Sequence, residues 1–228
     1  MYGKSLSGVL ASIPLFQGAD ADTLDSMAWQ VQGKSFKKGE CVIEKGCIAH
    51  GFYYIERGQV KLSFISEQGN EKVVELLGEG ATFGEAAMFV GQPIPVFVQA
   101  CMPTRLLFIR KEAVWNLIER CPDVAMHVIA SLSRRLHSMF GEFESLCLLS
   151  SRERVTGFLL RELRVGAEPG VKEIRLPSTK AATASLLNLT PETFSRVIHG
   201  LEREGIVNVD GRRVEVLDED RLRAQTHC

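Results

Sequence analysis

From Ala125 to Leu146, apolar residues recur at alternating spacings of four and three: Ala125, Ile129, Leu132, Leu136, Met139, Phe143 and Leu146. This is the seam of a heptad helix over about three heptads, and such a stripe must be buried against something. Either a twin copy of the helix or the helix's own domain would cover it; the regular spacing favours the twin. Pro122 suits the first turn, where a missing amide donor costs nothing. Arg134, Arg135, Glu142 and Glu144 lie off the seam and are expected to be solvated. The helix divides the chain into three expected parts: residues 1–121, the helix over 122–149, and residues 150–228.

Before the helix the periodicity is of strand length. Residues from about 5 to 30 suggest short helices around Pro14, with Leu6, Val9, Leu10 and Ile13 at helical spacing. From about 31 to 110, glycines punctuate short runs such as Phe52-Tyr53-Tyr54-Ile55 and Val60-Lys61-Leu62-Ser63-Phe64, a pattern of β-sandwich, jelly roll or barrel. The longest uncharged run, Ala86 to Thr104, contains Pro93, Pro95, Pro103 and Gly91, so no spanning helix and no membrane partner are expected. Ser7, Gly8, Ser12 and Pro14 interrupt the apolar N-terminal stretch, which argues against a secretory signal. Six cysteines without a C-x-x-C pair fit reduced thiols and a cytoplasmic protein.

After the helix the pattern turns helical again and ends in a hairpin. Val155, Phe158, Leu159 and Leu163 form an amphipathic stripe, and Gly166 to Gly170 is expected to be a loop. Two helices follow, roughly Ser178 to Leu187 and Pro191 to Glu204, with Thr190 as N-cap of the second and Gly205 as its stop. Ile206–Val209 and Val214–Leu217 flank Asp210-Gly211, a hairpin signal. Helix, turn, helix and hairpin outline a winged helix-turn-helix.

The second of those helices would turn Phe194, Val197, Ile198 and Leu201 inward and Thr190, Glu192, Thr193, Ser195, Arg196 and His199 outward. An arginine can grip guanine O6 and N7, a glutamate can accept from cytosine N4, and a serine can serve either role. Glu192 and Arg196 read equally well as a helix carboxylate and its i+4 ion-pair partner. Lys180, Arg203, Arg212 and Arg213 are candidate phosphate contacts, the last two at the hairpin tip. The 27 Lys and Arg against 28 Asp and Glu exclude a polybasic binder but not a locally basic face.

Three motifs in order, Phe83-Gly84-Glu85-Ala86-Ala87-Met88-Phe89, Ser131-Leu132-Ser133-Arg134-Arg135-Leu136-His137 and Thr190-Pro191-Glu192-Thr193-Phe194-Ser195-Arg196, resemble the CRP/FNR family of bacterial transcription regulators. The similarity covers nearly the whole chain and is greatest to the Dnr-like branch, associated with nitric oxide and denitrification. It implies an α+β fold: a cyclic-nucleotide-binding-like β-roll, a dimerisation helix and a C-terminal winged helix-turn-helix. It implies a homodimer through Ile129, Leu132, Leu136, Met139, Phe143 and Leu146, an effector pocket near Phe83, Gly84, Glu85, Met88, Phe89 and Val96, and RNA polymerase as a further partner. In the FNR-type pattern, a Glu followed by a Ser and an Arg three and four positions later reads TTGAT-like palindromic half-sites in double-stranded DNA. Glu192, Ser195 and Arg196 match that spacing, which tips the even balance toward DNA reading.

The departures concern the signal. Members that bind cyclic AMP carry an Arg-Ser or Arg-Thr pair after the Gly-Glu element, whereas Gln92-Pro93-Ile94-Pro95-Val96-Phe97 offers neither cation nor hydroxyl, which argues against cyclic AMP. The chain has no cysteine before Cys41, which argues against the iron–sulfur cluster of the oxygen sensors. Haem stays open, with His50, His127, His137, His199 and His227 as the available imidazoles. Nothing near Cys41 or Cys147 argues for the lowered thiol pKa of a redox switch. Two other classes compete with a regulator. A cupin-like enzyme would want clustered histidine and carboxylate ligands, yet His50 is the only histidine in the β-rich region. A cyclic-nucleotide-binding regulatory protein acting through protein partners leaves the C-terminal reader unexplained.

Overall fold

The computed structural model describes residues 6–165, 172–176 and 179–226. The expected loop from Gly166 to Gly170, the Pro177-Ser178 start of the first reader helix and His227 lie outside the described residues. The elements in order are α1 (Leu6–Leu10), α2 (Ala21–Met27), β1 (Val31–Phe36), β2 (Cys41–Ile43), β3 (Gly51–Arg57), β4 (Val60–Ile65), β5 (Glu71–Leu77), β6 (Thr82–Phe83), α3 (Glu85–Val90), β7 (Phe97–Ala100), β8 (Thr104–Arg110), α4 (Lys111–Arg120) and α5 (Pro122–Leu148). There follow α6 (Ser151–Val165), β9 (Glu173–Arg175), α7 (Lys180–Leu186), α8 (Pro191–Arg203), β10 (Val207–Asp210), β11 (Arg213–Val216) and α9 (Glu219–Arg223). The chain forms two compact units that divide between Ser138 and Met139, inside α5. No helix among the described residues is long and apolar enough to cross a membrane.

In the first unit two four-stranded antiparallel sheets, in the orders β1-β8-β3-β6 and β2-β7-β4-β5, form the expected β-roll. Side chains of a strand alternate between faces, and β3 buries both of its faces. Tyr53 and Ile55 point into the roll with Val60, Leu62, Phe83, Val98 and Leu106. Phe52 and Tyr54 point the other way, into a second core with Leu10, Phe16, Leu24, Val114, Leu117, Val124 and Val128. That double burial explains why Phe52-Tyr53-Tyr54-Ile55 is a continuous apolar run instead of an alternation. α4, which strand-length patterning does not announce, covers this outer face with α1, α2 and the start of α5.

The second unit has one core. Val155, Phe158 and Leu159 of α6, Ala184 of α7, and Phe194, Ile198 and Leu201 of α8 close over Val207, Val214 and Val216 of the hairpin. The hairpin turn differs by one residue from the expected Asp210-Gly211. Val207 pairs with Val216 and Val209 with Val214, which makes Asp210 the partner of Arg213 and leaves Gly211-Arg212 as the loop. Gly211 takes the left-handed backbone, φ 59°, that the first central position of such a turn requires. A third strand, β9, pairs with β11. Its signal was present in the alternation of buried Ile174 and Leu176 with exposed neighbours.

Where β3 meets β8, Gly51 pairs with Arg110, and a Cβ there would lie 2.2 Å from the Ile109 carbonyl oxygen and 2.8 Å from the Phe108 ring. Both neighbours belong to a paired strand and cannot yield cheaply. Gly51→Ala is expected to cost about 2–3 kcal/mol of stability, read as a lowered midpoint in chemical denaturation. An unchanged midpoint would mean that the strand end opens freely.

Candidate functional site

The reader is built on α8. Thr190 caps it by accepting the Thr193 amide at 3.2 Å, and Pro191 fills the first helical position. Phe194, Ile198 and Leu201 are buried. The opposite stripe, Glu192, Ser195, Arg196 and His199, follows at spacings of three, four and seven, so the four side chains share one face. Glu192, Arg196 and His199 are exposed, and Ser195 is half-buried.

The competing ion-pair reading of Glu192 and Arg196 is not what the side chains do. The Arg196 Nη2 donates to Thr193 Oγ1 at 3.3 Å, and no ion pair joins it to Glu192 among the described residues. The Glu192 carboxylate is held below its usual pKa by its own backbone amide and by the Thr190 hydroxyl. It therefore stays a charged acceptor near the helix start, where the helix dipole favours it.

Two residues absent from the expectations fix this helix in place. From α6, Arg154 Nη1 donates to the carbonyls of Leu187 at 3.0 Å and Asn188 at 3.2 Å. These lie in the turn between α7 and α8, where Asn188 takes a left-handed backbone. From α8 itself, Glu202 accepts the Val209 amide of β10 at 3.1 Å and meets His199 Nδ1 at 2.9 Å. The His199 contact is the main reason the Glu202 carboxyl sits below its usual pKa. No sequence pattern marks Arg154. Glu202 stands three residues from His199, a spacing that could have been noticed.

The basic candidates separate. Lys180 is the half-buried first residue of α7. Arg203 is exposed in the last turn of α8. Arg212 and Arg213, expected to reach out from the hairpin tip, are turned toward β9. Arg212 donates from Nε and Nη2 to the Leu176 carbonyl at 3.2 and 2.8 Å, and Arg213 pairs with Glu173 at 2.5 Å. The unforeseen third strand supplies Glu173, and the residue that follows it, Leu176, supplies the other acceptor.

Along α5 the heptad residues do not share one environment. Ile129, Leu136, Met139, Phe143 and Leu146 are exposed, between 44% and 66%. Leu132 is half-buried against the core of the first unit, beside the buried Val124 and Val128. Met126 and Phe140 are also exposed, which widens the open face beyond the strict seam. Arg135, expected to be solvated, is instead half-buried: it pairs with Glu75 of β5 and lies 3.8 Å from Glu85. The Glu142 side chain lies outside the described residues.

The expected effector residues do not converge on one pocket. Phe83 fills the roll and stacks on Tyr53 with centroids 5.2 Å apart. Val96 packs on the same core. Met88 is buried in the outer core, and Phe89 stacks on Trp115 at 4.9 Å. Gly84 and Glu85 open α3. Glu85 is buried, and its Oε2 has no hydrogen-bond partner. Burial raises its pKa; its own backbone amide and Arg135 act against that and are outweighed. Burial likewise pushes the Cys41 thiol up, aided by Glu44 and Cys47. His127 presses its ring on the Gly18 turn, where a Cβ would meet Nε2 at 3.4 Å, and His50 and His137 are exposed.

Comparison with known proteins places these features. The model of the cyclic nucleotide-binding domain matches residues 33–121, and that of the Crp-like helix-turn-helix domain matches residues 153–225. The chain is 32% identical over 203 residues to the Cyclic AMP receptor protein of Thermus thermophilus, covering 89% of this chain and 92% of that one. It is 32% identical to DNR from Pseudomonas aeruginosa, whose crystal structure it matches over 98% of this chain and 99% of the other with a TM-score of 0.52. The structure of FixK2 from Bradyrhizobium japonicum shares the fold, with a TM-score of 0.77 at 21% identity over 87% of this chain and 98% of that one.

Glu85 carries a pH signature. A carboxyl whose pKa rises on folding holds its proton more tightly in the folded chain. Its contribution is complete below the ordinary carboxylate value and is lost as pH rises through the folded-state value. Glu85→Gln stays neutral throughout, so its thermal midpoint should gain on the unaltered protein as pH rises above the ordinary carboxylate range. A constant difference would show that Arg135 fully compensates the charge.

Proposed function

The chain belongs to the CRP/FNR family of transcription regulators, and from that premise we propose that it reads TTGAT-like palindromic sites as a homodimer under the control of a small signal in its β-roll. Regulators of this family bind DNA and act as dimers, and this one is a regulator rather than an enzyme. The carrying observation is the outward stripe of α8, where Arg196 leans on Thr193 and leaves Glu192 free to accept. The Arg196 fork suits guanine O6 and N7, the Glu192 carboxylate suits cytosine N4, and Ser195 sits between them. Two copies of α8 enter successive major grooves about one helical turn apart, as the two-fold of the dimer dictates. The exposed face of α5 is the surface that joins the copies.

On the signal side, the likeness to DNR supports placing the chain in the Dnr-like branch with a gas or redox cue such as nitric oxide. Several relatives carry cyclic AMP in their names. Here the loop from Gln92 to Phe97 has no cation or hydroxyl to grip a cyclic phosphate, and it buries Ile94. Haem stays open in this reading, with His127 packed against the Gly18 turn and His50 and His137 exposed. The group that answers a ligand in the roll is Glu85, through Arg135 on the dimer helix. A change at Glu85 then shifts the balance between two dimer states. Contact with RNA polymerase and residence in the cytoplasm complete the proposal.

A mobility-shift titration on a TTGAT-N4-ATCAA duplex and a scrambled duplex tests the reader. Arg196→Ala should cost about 1–3 kcal/mol per half-site and relax base preference. Equal binding of the unaltered protein to both duplexes would overturn sequence-specific reading. Leu136→Asp should dissociate the dimer in sedimentation, because it places a charge in the buried seam. Its side chain is 56% exposed in the single chain, so the fold should survive; a stable dimer would move the interface off α5.

A further inference from the structure

Away from the reader and the roll, a cavity of about 260 Å³ opens between α4 and the segment of α2 that leads into β1. Met27 and Leu117, both buried, contribute its apolar wall. Ser26, Gln30 and Asn116 contribute hydroxyl and amide groups, and Trp29 and Arg120 stand at its rim. No carboxylate lines it.

Two of these side chains are open to a ligand. Trp29 is 79% exposed, although an indole offers more apolar area for burial than any other side chain. It stands on the short 3-10 turn Ala28–Gln30, which sends Met27 into the core and Trp29 outward. Arg120 takes part in no ion pair among the described residues. Its recorded hydrogen bond is a long one, from Nη1 to Ser26 Oγ at 3.5 Å. The cavity therefore carries an unneutralised planar cation, an open indole face and several neutral polar groups within one small volume.

That combination selects a ligand class. A guanidinium fork matches a carboxylate with two parallel hydrogen bonds. An indole face matches a flat ring by offset stacking. A bare inorganic anion would use Arg120 alone, and a nucleotide is too large for a volume near the lower limit of ligand pockets. We propose that this cavity is a binding site for a small aromatic carboxylate, its ring on Trp29 and its carboxylate on Arg120. The site shares no lining residue with Glu85 or α8, and it does not rest on the identity of the signal in the roll.

The chain has two tryptophans, so in a Trp115→Phe background the fluorescence reports on Trp29 alone. Benzoate titrated into the full-length protein should quench it saturably with a Kd of about 1 mM or below, in keeping with nine heavy atoms. Benzyl alcohol, which keeps the ring and has no charge, should bind at least about tenfold more weakly, as should benzoate to Arg120→Gln. Inorganic phosphate should not compete. The proposal is overturned if benzoate fails to saturate by about 20 mM, if benzyl alcohol matches it, or if phosphate displaces it. The benzyl alcohol comparison needs no change at Arg120 and stands even if that variant is unstable.

Discussion

One helix has to be buried twice. The first half of α5 places Val124 and Val128 in the core of the first unit, while Ile129, Leu136, Met139 and Phe143 face outward. A solvated helix tolerates scattered apolar residues but not a continuous stripe of large ones. Burying half of each such side chain contributes about 1 kcal/mol. Summed over two copies, that exceeds the lower range of the association cost, about 4–15 kcal/mol. In the proposed reading the dimer follows from this helix, and the spacing of two α8 readers follows from the dimer. Sequence-specific binding to a two-fold site would then depend on α5 as well as on α8.

The same helix carries a polar tie from the roll. Arg135 reaches Glu75 on β5 and lies near Glu85 at the start of α3. Glu85 is close to fully buried, with one carboxylate oxygen unpaired, an arrangement that costs free energy unless a further group satisfies it. A protein that keeps such a group beside the arginine of its dimer helix has a point at which a small change in the roll alters the electrostatics of α5. The interior of the roll is occupied by Tyr53, Phe83 and Phe108, packed ring on ring. In the proposed reading, a rearrangement around Glu85 is the differential interaction a switch requires.

Much of this was legible in the sequence because the signals were local. The caps at Thr190 and Gly205, the heptads of α5, and the inward set Phe194, Ile198 and Leu201 each follow from spacing within one element. What escaped depended on partners distant in the chain. β9 is three residues long and gains its place from β11, and its presence turned Arg212 and Arg213 from free wing-tip cations into ties. Arg135 reads as a solvated heptad charge until β5 and α3 are brought beside it. Leu132 reads as seam until the first unit claims it. The effector set was carried by resemblance, and its members divide between two cores, Phe83 and Val96 in the roll and Met88 and Phe89 of α3 in the outer core.

The loss of the wing-tip arginines bears on how the reader gains affinity. From Ser150 onward the chain holds 13 Lys and Arg against 12 Asp and Glu, so its net charge is only +1. Phosphate neutralisation supplies most non-specific affinity and positions a protein on the duplex. Arg212 and Arg213 are tied to Leu176 and Glu173, which leaves Lys180, Arg196 and Arg203 on the reader helices and exposed Arg161, Lys172 and Arg175 elsewhere in the unit. With so small a net charge, the proposed reading leans on base-edge contacts and on engaging two half-sites at once, and both depend on how firmly α8 is held. The Thr190 cap, the Arg154 clamp on the preceding turn and the Glu202 tie to β10 hold it at its start, its approach and its end. In the proposed reading, rigidity in the second unit and dimerisation through α5 are therefore two halves of one requirement.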